Sequence, residues 1–360
     1  MPSTKPEMHR LVLRSLADLL ALVPYMIGFH PTDSVVVVAL RGKRVVFAAR
    51  SDLPTATASA AERRGLAGYI ASVVSQQMAA GVAVIGYGDA DAVAPAVRAV
   101  GDALAGTGLA ILDEIRVAGD RYWCLQCDDP ECCPPEGIRF DPEASEVAAA
   151  ATYAGEVALP DRAALAHQVA PVGGPARESM AVATARAEDR LRLLVDGAAD
   201  ADLLGARAVR IAGEEAVREA MSRHRDGAGL SDDEVAWLSL LLSYIPVRDY
   251  AWRQLTGPDD WQLTLWTDVL RRAEPALAAP PASLLAFTAW RAGRGALAAV
   301  ALERALAADP AYSMAVLLDE AVHSGIPPSA LDGWPNARQA GRAARRKRGS
   351  GNGRRRAVRR

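Results

Sequence analysis

Four cysteines lie within ten residues, Cys124, Cys127, Cys132 and Cys133, in the run CLQCDDPECCPPEG. A Cys-x2-Cys pair is half of a zinc knuckle and equally half of a thioredoxin-like redox pair. The second half is unusual. Along an extended chain adjacent side chains point to opposite sides, so Cys132 and Cys133 are not expected to reach one ion. No second Cys-x2-Cys or His-x3-His follows. A reducing compartment opposes stable disulfides. Asp128, Asp129, Glu131 and Glu136 make the loop acidic, which raises nearby thiol pKa values and opposes a reactive thiolate. The spacing therefore predicts a tight, proline-rich loop that closes a sheet, with the thiols packed as small apolar groups. No cofactor is expected. Zinc and redox chemistry are the alternatives.

A second polar set is GFHPTDS, residues 28–34, which packs His30, Asp33 and Ser34 into five positions. A nucleophile, base and orienter this close in sequence converge poorly, so a Ser34–His30–Asp33 triad is not favoured. The following apolar runs SVVVVAL and RVVFAAR flank RGK and predict a hairpin. The expected register sets Val38 against Phe47, Val35 against Arg50 and Asp33 against Asp52. Asp33, Arg50 and Asp52 would then gather at one end with His30, and Tyr25 could approach from the preceding helix. Arg50 diagonal to Asp33 is within reach of an ion pair. One reading is a ligand or catalytic pocket built from His30, Asp33, Ser34, Arg50 and Asp52. The other is a solvated ion-pair set, with Asp33 as a turn residue. A zinc site of one His and two Asp has no support in the spacing. GYGD, residues 86–89, follows a strand and is a weak phosphate-turn pattern; no Walker-type phosphate loop occurs.

These residues need elements to hold them. Ser15 with Asp18 forms a capping-box pattern ahead of LADLLALV, Pro24 interrupts, and Gly28 stands where a left-handed stop belongs. ERRGLAGYIASVVSQQMAAG reads as a helix ended by Gly81. VAVIGYG is a buried strand, DADAVAPAVRAVGDALAGTG a helix, and LAILDEIRVAGDRYWCLQC two strands around AGD. That order predicts a mixed sheet covered by helices, ending near residue 140. No convincing strand follows. Residues 175–227 read as two long helices and 231–323 as a run of short ones. Ala286, Ala298, Leu302, Ala305 and Pro310 fall at the spacing of one 34-residue tetratricopeptide unit, although Ala289 stands where tyrosine belongs and no second copy lies upstream. The chain is accordingly divided into an α/β domain over residues 1–160, an all-α domain with a tetratricopeptide-like helical hairpin over 161–336, and a basic tail over 337–360.

Several stretches together resemble the actinobacterial domain-of-unknown-function family 4192: LVPYMIGFHPTDSVVVVALRG, VVFAARSDLP, CDDPECCPPEG, ALPDRAALAHQVAPVGG and LLAFTAWRAGRGALAAVALERALAADPAYSMAVLL. The resemblance runs from about Leu11 to Pro328. It implies no particular activity, because none is established for that family. The sequence departs from the family pattern at Cys124, which puts in doubt any site needing all four thiols.

Charge is distributed unevenly. The net charge is −2, yet residues 338–360 hold 11 Lys/Arg and no acid, leaving 30 bases against 43 acids and a body near −13. The tail lacks apolar periodicity, so it is expected to be disordered. Arg345, Arg346, Lys347, Arg348, Arg354, Arg355 and Arg356 are its candidate contacts to nucleic acid or another polyanion, or to an acidic protein. No aromatics interleave with them, so base stacking is not implied. No window approaches the roughly 18 apolar residues of a membrane span, and the first twenty residues make a poor signal peptide. The expectation is a cytoplasmic, non-membrane binding or scaffold protein, with a polar pocket in the α/β domain and protein contacts through the helices. The alternative is a hydrolase acting on a small or nucleotide-like substrate through the His30/Asp33/Arg50/Asp52 cluster.

Overall fold

The computed structural model describes residues 14–331 apart from positions 56, 143, 200, 201, 203, 204, 256 and 258; the basic tail lies outside them. Helix α1 (Leu16–Ile27) opens with the Ser15/Asp18 capping box, carries Pro24 in its interior and closes on Gly28 at φ 86°, a backbone conformation that glycine adopts without a Cβ clash. Phe29, buried just beyond it, bridges to Leu159.

Strands β1 (Ser34–Arg41) and β2 (Arg44–Asp52) form the expected antiparallel hairpin. The register differs by one residue over most of its length: Val36 stands opposite Arg50, Val35 opposite Ser51, and Ser34 opposite Asp52. Only Leu40/Val45 and Arg41/Arg44 at the tip keep the expected pairing, and the shift falls between Ala39 and Leu40. An extra residue on β2, Val46, is accommodated there, as a bulge accommodates one. Ala39 then pairs with Phe47, and Val35 and Val37 stay with the apolar set on one face.

Helix α2 (Ala60–Ser75) has its own capping box, Ser59/Glu62. It stops six residues before Gly81, earlier than the apolar pattern suggests. Gln76 and Gln77 turn their side-chain amides back onto the Ser72 and Val73 carbonyls, and Met78 takes φ 46°. Gly81 instead opens β3 (Gly81–Tyr87), antiparallel to β1. Helix α3 (Ala90–Ala105) crosses to β4 (Ala110–Ala118), which pairs parallel to β3. Strand β5 (Arg121–Cys124) turns back through Gly119 at φ 60°, and a two-residue β6 (Ile138–Arg139), which no sequence pattern marked, completes a six-stranded mixed sheet ordered β2-β1-β3-β4-β5-β6.

Among the described residues ten α-helices follow: α4 (Glu146–Tyr153), α5 (Arg162–Gln168), α6 (Gly174–Asp196), α7 (Ala206–Arg225), α8 (Asp232–Leu242), α9 (Ile245–Gln254), α10 (Asp260–Arg272), α11 (Ala279–Arg291), α12 (Gly295–Ala308) and α13 (Ser313–His323). No strand appears after β6 among the described residues.

Strand β1 is buried on both faces, which is why it reads as an unbroken apolar run instead of alternating. On one side Val35, Val37, Val82 and Val84 pack against Ala67, Ile70 and Val74 of α2 and Val93, Val97 and Val100 of α3. On the other, Val36, Val38, Ile85 and Ile115 join an apolar cluster that continues through α1 to Leu241, Trp266, Phe287 and Leu302. Residues 279–290 of α11 are all buried, so that helix is covered on every side. Leu285, Ala298, Leu302 and Ala305 are fully buried in the α11–α12 hairpin. Two long-range hydrogen bonds tie α2 and the turn after it to the end of the helical run: Tyr69 Oη donates to the His323 carbonyl (2.7 Å) and Gln77 Nε2 to the Gly325 carbonyl (2.6 Å).

Candidate functional site

Directly opposed residues in a sheet share a face. Asp52, Ser34, Tyr87, Val117 and Tyr122 therefore form one row across the sheet, and Arg50, Val36, Ile85, Ile115 and Cys124 the next. Both rows lie on the face turned toward α1 and the large apolar cluster.

The GFHPTDS residues disperse around this end of the sheet. His30 is exposed, its backbone N–H bonded to the Leu159 carbonyl (2.8 Å). Asp33 is exposed and takes φ 42°, a left-handed turn conformation that Asp tolerates better than most residues. Its carbonyl accepts from Leu53 N–H (2.8 Å), while its side chain lies beside Gly88. Ser34 is fully buried. Arg50 pairs with Asp52 (2.6 Å), sits over the Phe29 ring and reaches the Thr32 carbonyl. The expected Arg50–Asp33 pair does not form, because the bulge moves Arg50 one place along β1. Tyr25 bonds with Thr152 on α4 instead of approaching the set. No hydrogen bond or ion pair joins His30 to Asp33, Arg50 or Asp52 among the described residues. In GYGD, Gly88 accepts from Arg116 Nε (3.0 Å), and Asp89 stands at the N-terminus of α3 without a side-chain cap.

The cysteines behave differently. The Sγ atoms of Cys127, Cys132 and Cys133 all lie within 4.8 Å of one another. Adjacent Cys132 and Cys133 do not diverge as they would along an extended chain, because the chain here is not extended. Residues 130–133 fold into turns in which the N–H groups of both Cys132 (3.2 Å) and Cys133 (2.7 Å) converge on the Asp129 carbonyl. In a turn, successive side chains need not alternate. Asp129 organises the loop further: its carboxylate accepts from Glu131 N–H (2.9 Å), and its own N–H donates to Cys127 Sγ. That bond is the leading cause holding the Cys127 thiol below its ordinary pKa, against the expectation that the acidic loop raises it. Burial, reinforced by hydrogen bonds with Cys127 and Cys132, pushes Cys133 up to about 12. Cys124 lies outside the trio on β5, near enough to raise Cys133 further.

The loop is fastened to the sheet. Trp123 Nε1 donates to the Pro135 carbonyl (2.9 Å), and Arg121 donates to the carbonyls of Glu136 (3.0 Å) and Gly137 (2.8 Å). Arg116 stacks over the Trp123 ring at 4.3 Å, and Gly137, at φ 80°, lies so close to that ring that no side chain fits. None of these fastenings is visible as a motif. They depend on β4, β5 and the loop meeting in space.

A further polar site escaped the sequence reading. A groove of about 250 Å³ between α6, α7 and α8 is lined by Arg190, Glu215, Glu219, Asp233, Glu234 and Trp237, among others. Arg190 lies over the Trp237 ring at 4.1 Å. Asp233 pairs with Arg186 (2.5 Å) and Glu234 with Arg223 (2.6 Å). Glu215 and Glu219, one turn apart on α7, have no ion pair among the described residues. Two like charges at that spacing were the signal available in the sequence.

Among the described residues no helix is long and apolar enough to cross a membrane. No curated protein and no solved structure matches the chain. Residues 17–329 match the family model described as Domain of unknown function (DUF4192), and the chain belongs to that family.

Proposed function

We propose that the chain is a cytoplasmic binding protein without a catalytic centre, whose helical part receives a basic, arginine-bearing segment of a protein partner in the groove between α6, α7 and α8. The observation that carries this reading is the groove itself: two carboxylates, Glu215 and Glu219, without an ion pair among the described residues, beside Trp237, whose indole already carries the Arg190 guanidinium. An incoming arginine finds charge partners there in the two carboxylates. The surplus of acids in the body favours such an encounter at long range. The lone tetratricopeptide-like spacing of α11–α12 is consistent with packing that supports this surface.

The hydrolase alternative gains less support. A general base needs a second group to hold it. The His30 ring has no such partner among the described residues, and Ser34 is sealed in the core.

The test is fluorescence anisotropy with a labelled arginine-rich peptide and the full chain. Binding is expected to fall at least tenfold in the Glu215→Ala/Glu219→Ala double variant and to weaken with salt. Equal binding by the variant refutes the groove. Hydrolysis of a small ester or nucleotide that is lost in His30→Ala would favour the enzyme.

A further inference from the structure

We infer that Cys127, Cys132 and Cys133 form a three-thiolate zinc site with its fourth position open to a small ligand at the protein surface, and that Cys124 is not a ligand. The inference stands apart from the groove and does not depend on it.

Geometry comes first. Zinc–sulfur bonds of about 2.3 Å in a tetrahedron set sulfur atoms about 3.8 Å apart. The three Sγ atoms already lie within 4.8 Å of one another, so closing on an ion asks for movements of about 1 Å, within the reach of small χ1 changes. The turn that aims two adjacent thiols the same way is built from backbone bonds to Asp129 and does not depend on a metal.

The surroundings match a thiolate site in a second respect. A metal-bound thiolate is stabilised by backbone N–H donors that set its orientation. Asp129 N–H supplies one to Cys127. Trp123 and Arg121 fasten the loop that carries the donors to β5, and Arg116 of β4 stacks on Trp123, so that loop is anchored to the sheet. Three thiols with no disulfide among them form a soft donor set, the kind that selects zinc over magnesium or calcium.

The open position follows from exposure and placement. Cys132 is exposed, while Cys127 and Cys133 are half-buried. Cys124 belongs to β5, its side chain on the face packed against the apolar cluster and outside the trio. Three protein ligands leave one position for water or a partner's donor atom, as in zinc sites that are not purely structural. Binding releases the protons held by the thiols, so uptake strengthens as pH rises.

The experiment uses the full chain, purified under reducing conditions without chelator, with zinc measured by mass spectrometry. About one zinc per chain is expected for the wild type and for Cys124→Ser, and none for Cys127→Ser or Cys133→Ser. Absence of zinc from the wild-type chain, both as purified and after addition of zinc to the reduced protein, overturns the inference. So does retention of zinc by Cys127→Ser, while its loss from a folded Cys124→Ser overturns the open fourth position. Should the serine variants unfold by circular dichroism, cobalt titration of the wild-type chain decides. Thiolate-to-cobalt charge-transfer absorption, displaced by zinc, supports the site, and absorption that remains that of free cobalt refutes it.

Discussion

Ser34 faces Tyr87 across the β1–β3 ladder, and both hydroxyls are buried without a hydrogen-bond partner among the described residues. Arg50 Nε, on the same face of β2 and two pairs further along the β1–β2 ladder, shares that condition. A buried polar group left unsatisfied costs about 1–3 kcal/mol. Burial also drives the Tyr87 hydroxyl far above its ordinary pKa, so it stays protonated.

Removing these hydroxyls is therefore expected to do no harm. Ser34→Ala and Tyr87→Phe should leave stability unchanged or raise it, by at most about 1–3 kcal/mol each, in urea unfolding followed by circular dichroism. A loss of more than about 1 kcal/mol in either variant would mean that the hydroxyls have a partner, a bound water or a ligand. Because the two side chains are neighbours, the double variant need not be additive.

Glu114 offers a pH test. It is only 9% exposed, and its carboxylate lies against Gly101 of α3. Burial raises its pKa above 4.5, Asp102 adds to the shift and Arg98 opposes it. A carboxyl with a raised folded pKa destabilises the fold wherever it is ionised, and the penalty fades as pH falls through the folded pKa, vanishing below the unfolded one. Glu114→Gln should thus be more stable than wild type at pH 7, with the gap closing as pH falls toward 4.5. A constant gap across thermal melts at several pH values would show that ionisation is not the cause.

Gly86 lets α3 lie directly on β3. A Cβ there would fall inside van der Waals contact of Val93 and Val97. Gly86→Ala should cost about 1–3 kcal/mol through overpacking, and Val93→Ala should be less harmful in that background than alone. Additive costs in the double-mutant cycle would place the strain elsewhere.

How much of this was legible in advance depends on the range of each interaction. The cap at Ser15, the left-handed Gly28 and the helices that make up the second half follow from local pattern and appear as expected. The hairpin was legible and its register was not. The apolar pattern of RVVFAAR tolerates one bulged residue, and only the packing of β1 against α2 and α3 decides where that residue goes. The cysteine spacing was visible, but the turn that gathers the thiols depends on Asp129 bonding four backbone and side-chain groups at once. The groove joins three helices far apart in sequence, and no spacing rule reaches that distance.

The tail links the charge layout to the groove. Residues 338–360 lie outside the described residues, and their charge alone carries the prediction. Eleven positive charges against phosphate should give sequence-independent binding to duplex DNA, with log affinity falling against log salt at a slope near −0.9 for each phosphate neutralised. A chain ending at Ala337 should bind far more weakly than the full chain. If the groove between α6, α7 and α8 competes for the same arginines, Glu215→Ala/Glu219→Ala in the full chain should bind duplex more tightly than wild type. That is opposite in sign to its effect on the arginine-rich peptide. Titration of labelled duplex at several salt concentrations separates the outcomes. Equal binding by the truncated chain assigns nucleic-acid affinity to the body and not to the tail. Duplex affinity unchanged by the double variant means that the tail does not visit the groove, leaving the groove to partners in trans.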